Sequence, residues 1–300
     1  MDKRKDRRDC EEKVKLGLAL SGGGIRGIAH AGVLKALQDN HITIDVIGGT
    51  SAGSMIASLY AIGYDPEEIF HLFKKHAKKV IGMNSMPLLS GIQNVMKIGS
   101  KKAITGLKSG EAIEEIYDKI AQQKQVKVLK DIKMPIVIPA VDITESKEYV
   151  FTNQMPKEKV DNSQYILDST VGKAIRASSS FPAVFSPCRI KTHAFMDGGA
   201  LDNVPVFEVK KQGADKVIAV KFDADPIDET SNLMDIVMKT IDIMGNKIAE
   251  ESLEMSDLVL NVTTDKVGLL DIEKLDSCYQ YGYDCVMQNI DKILNIRDIP

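Results

Sequence analysis

Short apolar runs recur along the chain, and segments with helical periodicity separate them. A continuous apolar run between turn signals is typical of a strand that is buried on both faces of a sheet. The first such run, 14–20, follows a charged segment and ends at a cluster of glycines. The runs predict strands at 14–20, 44–48, 135–141, 148–151, 216–222 and 257–262.

The segments between these runs carry apolar residues three or four positions apart, which is the spacing of one helix face. Because predicted strands alternate with predicted helices, we expect an α/β fold with a mostly parallel sheet covered on both faces. Helices are predicted at 28–39, 52–62, 110–121, 171–178, 233–253 and 271–294, with a further one beginning at Pro66.

The composition is that of a globular protein, with 44% hydrophobic residues, 27% charged residues and a net charge of −3. A chain so close to neutral has no overall attraction for nucleic acid, and we expect none to bind. We expect a charged tail over 1–13 and a single domain over 14–300. That domain would contain a basic, Met-rich insertion near 80–108.

Residues 69–110 contain eight lysines and neither aspartate nor glutamate. Cations interleaved with apolar residues favour peripheral contact with an anionic membrane surface, so we expect such a contact here. A solvated basic helix followed by a loop that caps the core would produce the same composition.

The sequence also bears on localisation. Its cysteines, Cys10, Cys188, Cys278 and Cys285, form no C-x-x-C pair, which argues against a zinc or redox site and favours a reducing compartment. The first residues lack the apolar core of a secretory signal, and the uncharged stretch 46–64 contains too many glycines and serines for a spanning helix. We therefore expect a cytoplasmic protein.

The segment Gly49-Thr50-Ser51-Ala52-Gly53 matches the G-x-S-x-G pattern of a nucleophile elbow. In such a turn the serine lies between a strand and a helix, and the two glycines let neighbouring backbones pass closely. A strand is predicted before Ser51 and a small-residue helix after it, so Ser51 is the candidate nucleophile. A glycine-rich tight turn without chemistry is the alternative.

A second glycine cluster, 21–27, lies directly between the first strand and the first helix. The backbone N–H groups of Gly22, Gly23 and Gly24 are unobstructed by side chains and can hold an anion, such as the oxyanion of acyl transfer. The cluster also fits the G-x-G-x-x-G pattern of a dinucleotide site. That site needs an acid at the far end of the second strand, whereas Asp45 lies at its beginning.

A nucleophilic serine needs a base, and the chain offers two candidates. His193 could follow an acid such as Asp142 or Asp168 in a hydrolase triad, although its surroundings are typical of a solvated turn. Asp197 ends an apolar run just before Gly198, where an acid can also merely cap a turn.

Three segments together resemble the patatin-like phospholipase family: the loop 21–27, the elbow 49–53 and Asp197-Gly198-Gly199. They stand in that family's order and approximate spacing, and 176–185 resembles the segment ahead of its Asp-Gly motif. The resemblance covers about 14–220. It implies a three-layer α/β/α sandwich with a mostly parallel central sheet, and a serine lipid acyl hydrolase of the phospholipase A or lysophospholipase type.

The same resemblance implies a catalytic dyad without histidine. Ser51 would attack the ester carbonyl, and Asp197 would take the serine proton and later activate water. The loop Gly22 to Gly24 would hold the oxyanion with support from Arg26, and no metal or cofactor is implied. The substrate would be a phospholipid or another acyl-ester lipid, with its head group open. A nucleotide-binding protein and a triad esterase that uses His193 remain the alternatives.

Overall fold

The computed structural model describes residues 14–81, 108–156, 164–182, 184–223, 233–264, 267–268 and 271–298. The expected tail 1–13 and nearly all of the insertion 80–108 lie outside these residues. Strands β1 to β9 in chain order are Leu16–Leu20, Val46–Gly49, Ile136–Asp142, Lys147–Thr152, Gln164–Ile166, Cys188–Ile190, His193–Asp197, Lys216–Phe222 and Leu258–Val262.

The helices occupy both faces of the sheet, as the alternation of strands and helices predicts. The loop after β1 is partly a 3-10 turn at Gly24–Ile28 rather than irregular throughout. Helices α1 to α9 in chain order are Ala29–Asp39, Ala52–Ile62, Pro66–Ile81, Glu111–Gln123, Val171–Ser178, Val206–Lys211, Leu233–Glu254, Leu275–Gln288 and Ile290–Asp298.

The central strands form one mostly parallel sheet, in the order β5-β4-β3-β2-β1-β8-β9 among the described residues. β1 pairs in parallel with both β2 and β8, β2 with β3, and β8 with β9. β4 and β7 both pair antiparallel with β3, and β6 pairs antiparallel with β7. The predicted fold class is confirmed, and the short strands β5, β6 and β7 and helix α6 are additions that the sequence pattern did not predict.

Side chains of each central strand alternate between two apolar cores, one on each face of the sheet. Along β1, Leu16, Leu18 and Leu20 enter the larger core, whereas Ala19 enters the smaller one. The smaller core also receives Val209 of α6. This double burial explains why the strands read as continuous apolar runs.

The prediction of one continuous helix over 271–294 is wrong, because the structure divides this segment into a 3-10 turn and two helices. A 3-10 turn at Ile272–Lys274 precedes α8, and Asn289 separates α8 from α9. The Asn289 side-chain amide donates to the carbonyl oxygen of Cys285 at 2.9 Å, a bond to the preceding turn that competes with helix continuation.

The topology brings three chain segments to one edge of the sheet. The glycine loop follows the carboxyl end of β1, and Ser51 follows the carboxyl end of β2. β7 runs against β3 so that Asp197 lies opposite Ala140, near that same edge. Within the described residues, none of the helices has the length and apolar character needed to cross a membrane.

Candidate active site

Ser51 occupies a strained turn between β2 and α2. Its backbone has φ 52° and ψ −121°, in the positive-φ region that non-glycine residues rarely occupy. A Cβ on Gly49 would lie 2.4 Å from the carbonyl oxygen of Gly53, and one on Gly53 would lie 2.5 Å from that of Leu20. Both glycines are therefore required by the close approach of backbones, which is the geometry of a nucleophile elbow.

The Ser51 hydroxyl donates a hydrogen bond to Asp197 Oδ2 at 2.6 Å. The other carboxylate oxygen, Oδ1, accepts from the Gly199 N–H at 2.9 Å. Gly198 lets this turn lie against β3, because a Cβ there would be 2.4 Å from the carbonyl oxygen of Pro139. The structure thus joins the two candidate residues, 146 positions apart, in one hydrogen bond.

Asp197 is buried, with an exposed fraction of 5%. Burial raises its pKa to about 6, while the hydrogen bonds from Ser51 and the Gly199 N–H act in the opposite direction. A carboxylate with this pKa is ionised at neutral pH and is a stronger base than an exposed aspartate. The pair can therefore deprotonate a hydroxyl as that hydroxyl attacks an electrophile.

His193 does not contact Ser51. It begins β7, four residues before Asp197, which places it roughly 13 Å away along the strand. Its Nδ1–H donates to Asp142 Oδ2 at 2.8 Å, and its side chain is only 26% exposed. The expectation of a solvated loop residue is wrong, since His193 is a strand residue that is paired with Asp142.

The glycine loop presents two backbone donors beside Ser51. The Gly22 N–H donates to Asn203 Oδ1 at 3.1 Å, so Gly22 is not available as an oxyanion donor, contrary to expectation. For the N–H groups of Gly23 and Gly24, no acceptor is present among the described residues. Gly24 has φ 57°, a backbone conformation that sets the direction of its N–H and that residues other than glycine adopt only rarely.

Arg26 stabilises the loop from behind. The residue is 2% exposed, and its guanidinium donates from Nη1 to the carbonyl oxygen of Asp223 at 2.9 Å and lies 5.4 Å from the Phe222 ring centre. Its Nε–H donates to the carbonyl oxygen of Gly23 at 3.4 Å. These bonds join Arg26 to the glycine loop and to the residue that follows β8.

An apolar pocket opens over Ser51 and Asp197. Helices α3 and α7 both contribute to its lining, α7 through Ile241 and Gly245. Gly23, Gly24 and Ser51 lie at the polar end of the pocket. The remaining wall is mainly hydrophobic and includes Met55, Phe73, Ala77, Val80, Tyr117, Phe181 and Phe185. An acyl chain suits this lining, with its carboxyl carbon at the polar end.

Three further residues support the site and were not identified from the sequence. Asn203 holds Gly22, and Ser178 Oγ accepts the Ser51 N–H at 3.0 Å. His30 is fully buried, and its Nε2–H donates to the Ser21 carbonyl oxygen at 2.9 Å. Burial lowers the pKa of His30 to about 4, so its ring is neutral under the loop.

Comparisons with known proteins agree with this geometry. The family model described as patatin-like phospholipase matches residues 18–210. The lysophospholipase NTE1 of Yarrowia lipolytica is 32% identical over 216 residues, which cover 72% of this chain and 13% of that protein. Its namesake from Meyerozyma guilliermondii is 27% identical over 297 residues, covering 89% of this chain and 19% of the relative. The chain spans less than a fifth of either relative.

A solved structure shows the same fold. VipD from Legionella pneumophila superposes with a TM-score of 0.52 at 17% sequence identity, covering 93% of this chain and 67% of that chain.

The buried carboxyl of Asp197 predicts an unusual stability effect. Its pKa is about 6 when folded and 3.8 ordinarily, so between these pH values the folded state binds more protons and stability falls as pH rises. Above pH 6 the ionised carboxylate lowers the free energy of unfolding by up to about 3 kcal/mol. Asp197→Asn should therefore be more stable than the unsubstituted protein at pH 8 in urea unfolding, with a smaller difference at pH 5.

Asp142→Asn is the matched control. Burial acts to raise the pKa of Asp142, but hydrogen bonds from His193, Ala194 and Thr144 outweigh it and leave the pKa below its ordinary value. This carboxylate stabilises the folded state, so its amide variant should be less stable at pH 8. If Asp197→Asn were instead less stable than the unsubstituted protein at pH 8, as expected for the control, then the ionised Asp197 carboxylate would not lower the free energy of unfolding.

Proposed function

The chain belongs to the patatin-like phospholipase family, and we propose that it is a serine hydrolase that cleaves carboxylic esters of lipids. The observation that carries the proposal is the 2.6 Å hydrogen bond from Ser51 to Asp197 at the polar end of an apolar pocket. The relatives named lysophospholipase support a phospholipid or lysophospholipid substrate.

In the first half of the proposed reaction, ionised Asp197 takes the proton of the Ser51 hydroxyl while Oγ attacks the ester carbonyl carbon. The carbonyl oxygen becomes an oxyanion and accepts hydrogen bonds from the N–H groups of Gly23 and Gly24. As the tetrahedral intermediate collapses, the leaving alcohol takes the proton from Asp197. The acyl group remains on Ser51.

In the second half, water replaces the alcohol. Asp197, ionised again, takes a proton from a water molecule as that molecule attacks the acyl-Ser51 carbonyl. Collapse returns the proton to Ser51 Oγ and releases the fatty acid. One carboxylate thus serves both halves, and all the groups are supplied by the chain itself.

The dinucleotide alternative lacks its ribose-binding acid. The Asp45 carboxylate accepts the N–H of Leu16, the first residue of β1, at 3.0 Å. It therefore lies at the amino edge of the sheet, opposite the glycine loop. At the end of β2, where a dinucleotide site would have that acid, Ser51 stands instead, and the nearby Asp197 carboxylate already accepts the Ser51 hydroxyl and the Gly199 N–H.

We also propose that α3 draws the protein to an anionic membrane surface. Phe73 and Ala77 of α3 line the pocket, while Lys75, Lys78 and Lys79 are exposed and form no ion pair with any described residue. Lys74 differs, since it pairs with Asp276 at 2.6 Å. Within the described residues, the proposed basic surface therefore consists of three exposed lysines on the helix whose other face lines the pocket.

The remaining four lysines of 69–110 contribute less to this argument. Three of them, Lys97, Lys101 and Lys102, lie outside the described residues. The fourth, Lys108, is partly buried, which lowers its pKa.

Cytoplasmic localisation stays a prediction from the sequence.

Ser51→Ala should lose about 10³-fold or more in kcat on a lysophospholipid, because the nucleophile is gone. Its free energy of unfolding should change little, since the hydroxyl makes one side-chain bond. Initial rates on the purified lysophospholipid measure kcat, and mass analysis of products from a mixed lipid extract identifies the head group. His193→Ala, which removes the competing base, should retain most activity. An inactive His193 variant beside an active Asp197→Asn variant would support the triad esterase instead.

Gly24→Val should reduce kcat by roughly 10²-fold while KM changes much less. A β-branched residue does not readily adopt φ 57°, so the loop would turn and its N–H groups would leave the oxyanion position. Steady-state kinetics on a soluble short-chain ester separates the two constants. A kcat that stays unchanged in a correctly folded variant would remove this loop from the mechanism.

Reversing Lys75, Lys78 and Lys79 to glutamate should weaken binding to anionic vesicles and lower activity on them. Each lysine near an anionic surface contributes about 1 kcal/mol, so binding should fall by roughly 10²-fold or more at low salt. Vesicle sedimentation over a salt series measures this, because screening should also weaken binding of the unsubstituted protein.

The matched charge control uses the exposed lysines Lys127, Lys130 and Lys133, which precede β3 at the amino edge of the sheet. Their reversal changes the net charge equally but should leave vesicle binding far less affected. Equal losses in the two triple variants would show that only net charge matters and would contradict a docking role for α3.

A further inference from the structure

Helix α7 carries an apolar stripe that continues from the pocket wall to the protein surface. Ile241 lines the pocket, and Met244 and Ile248 follow it at spacings of three and four residues, on one side of the helix. Met244 is 57% exposed and Ile248 is 42% exposed. We call these three residues the α7 stripe.

The adjoining side of α7 holds the helix against the sheet. Ala249 is buried in the smaller core, and Ser252 Oγ donates to the carbonyl oxygen of Val204 at 2.8 Å. The stripe therefore cannot turn inward without breaking these contacts. Ile243, 54% exposed, widens the apolar surface on one side of Met244. Exposed apolar surface of this kind beside a pocket marks a place of contact with another apolar phase.

We propose that the α7 stripe enters the hydrocarbon boundary of a membrane surface, beside the mouth of the pocket. The proposal rests on the lipid hydrolase function proposed above and adds a second, apolar element to the lysines of α3. The α3 lysines attract the surface from a distance, and Met244 and Ile248 hold it by burial of apolar area.

Because the α7 stripe is continuous with the wall of the pocket, we assign lipid as the partner that covers this surface. A lipid acyl chain that leaves a membrane loses its apolar surroundings unless apolar protein surface replaces them along its path. Ile248, Met244 and Ile241 form such a path to the end of the pocket that holds Ser51.

The chain contains no tryptophan, so a single introduced tryptophan reports on its own position. In Met244→Trp, we expect the fluorescence emission to shift to the blue when vesicles of phosphatidylcholine with phosphatidylglycerol are added. We also expect brominated lipid to quench it. Neither change requires turnover, so the result does not depend on whether the protein hydrolyses the lipid.

Met287→Trp is the matched control. Met287 lies on α8, is 40% exposed and accepts a hydrogen bond from Asn40, which follows the end of α1 at the amino edge of the sheet. Its tryptophan should neither shift nor be quenched. Equal responses at positions 244 and 287, or none at 244, would overturn the proposal.

A second variant tests the contribution to binding. Met244→Gln with Ile248→Gln should weaken vesicle binding by roughly fivefold or more, because two partly exposed apolar side chains lose their burial in the membrane. Hydrolysis of a soluble short-chain ester should stay unchanged. If the double variant instead dissociated a dimer in the absence of lipid, the surface would be a contact between copies and the proposal would be wrong. An unsubstituted protein inactive on every ester would refute the hydrolase function while leaving the tryptophan result intact.

Discussion

The close passage of backbones at the elbow is the constraint on which the rest of the site depends. Ser51 keeps its positive φ only because Gly49 and Gly53 allow β2, α2 and the end of β1 to approach within contact. That conformation is unfavourable for a serine on its own, so the packing of α2 under the glycine loop must maintain it. Once the turn is held, the hydroxyl projects from the edge of the sheet, where β7 delivers Asp197.

The electrostatics of the pair follow from its burial. Asp197 accepts one hydrogen bond from a hydroxyl and one from a backbone N–H, and neither donor carries a charge. Dipoles of this kind compensate a buried carboxylate only in part, which is why its pKa is raised. Asp142 has its own set of partners, including His193, and its pKa is lowered. Asp142 lies on β3 and Asp197 lies on β7, and these two strands are paired. Although the aspartates are close in the sheet, the surroundings of Asp197 suit it for proton transfer and those of Asp142 suit it for stabilising the structure.

The elbow and the main strands were predictable because their signals are local. G-x-S-x-G constrains five consecutive residues, and strands buried on both faces leave continuous apolar runs. Asp197 was one of two candidate bases in the sequence and was assigned to Ser51 only through the family resemblance, because the contact between them spans 146 positions. The Asn203 side chain that accepts the Gly22 N–H lies 181 positions away, and from the sequence an asparagine after Asp202 indicates only a turn. Strands of three residues, such as β5 and β6, are too short for any alternation to show.

In the membrane docking proposed above, the two helices that contribute to the pocket lining would meet a lipid surface through different physical forces. α3 presents charge, which acts over about a Debye length but weakens with salt, whereas α7 presents apolar area, which acts only at contact and is insensitive to salt. Both helices flank the edge of the sheet where the loops after β1 and β2 meet Asp197. An ester lies near the boundary between head groups and hydrocarbon, so it reaches Ser51 most directly when this edge faces the membrane. The orientation that the surface residues favour is therefore the one that the position of the nucleophile requires.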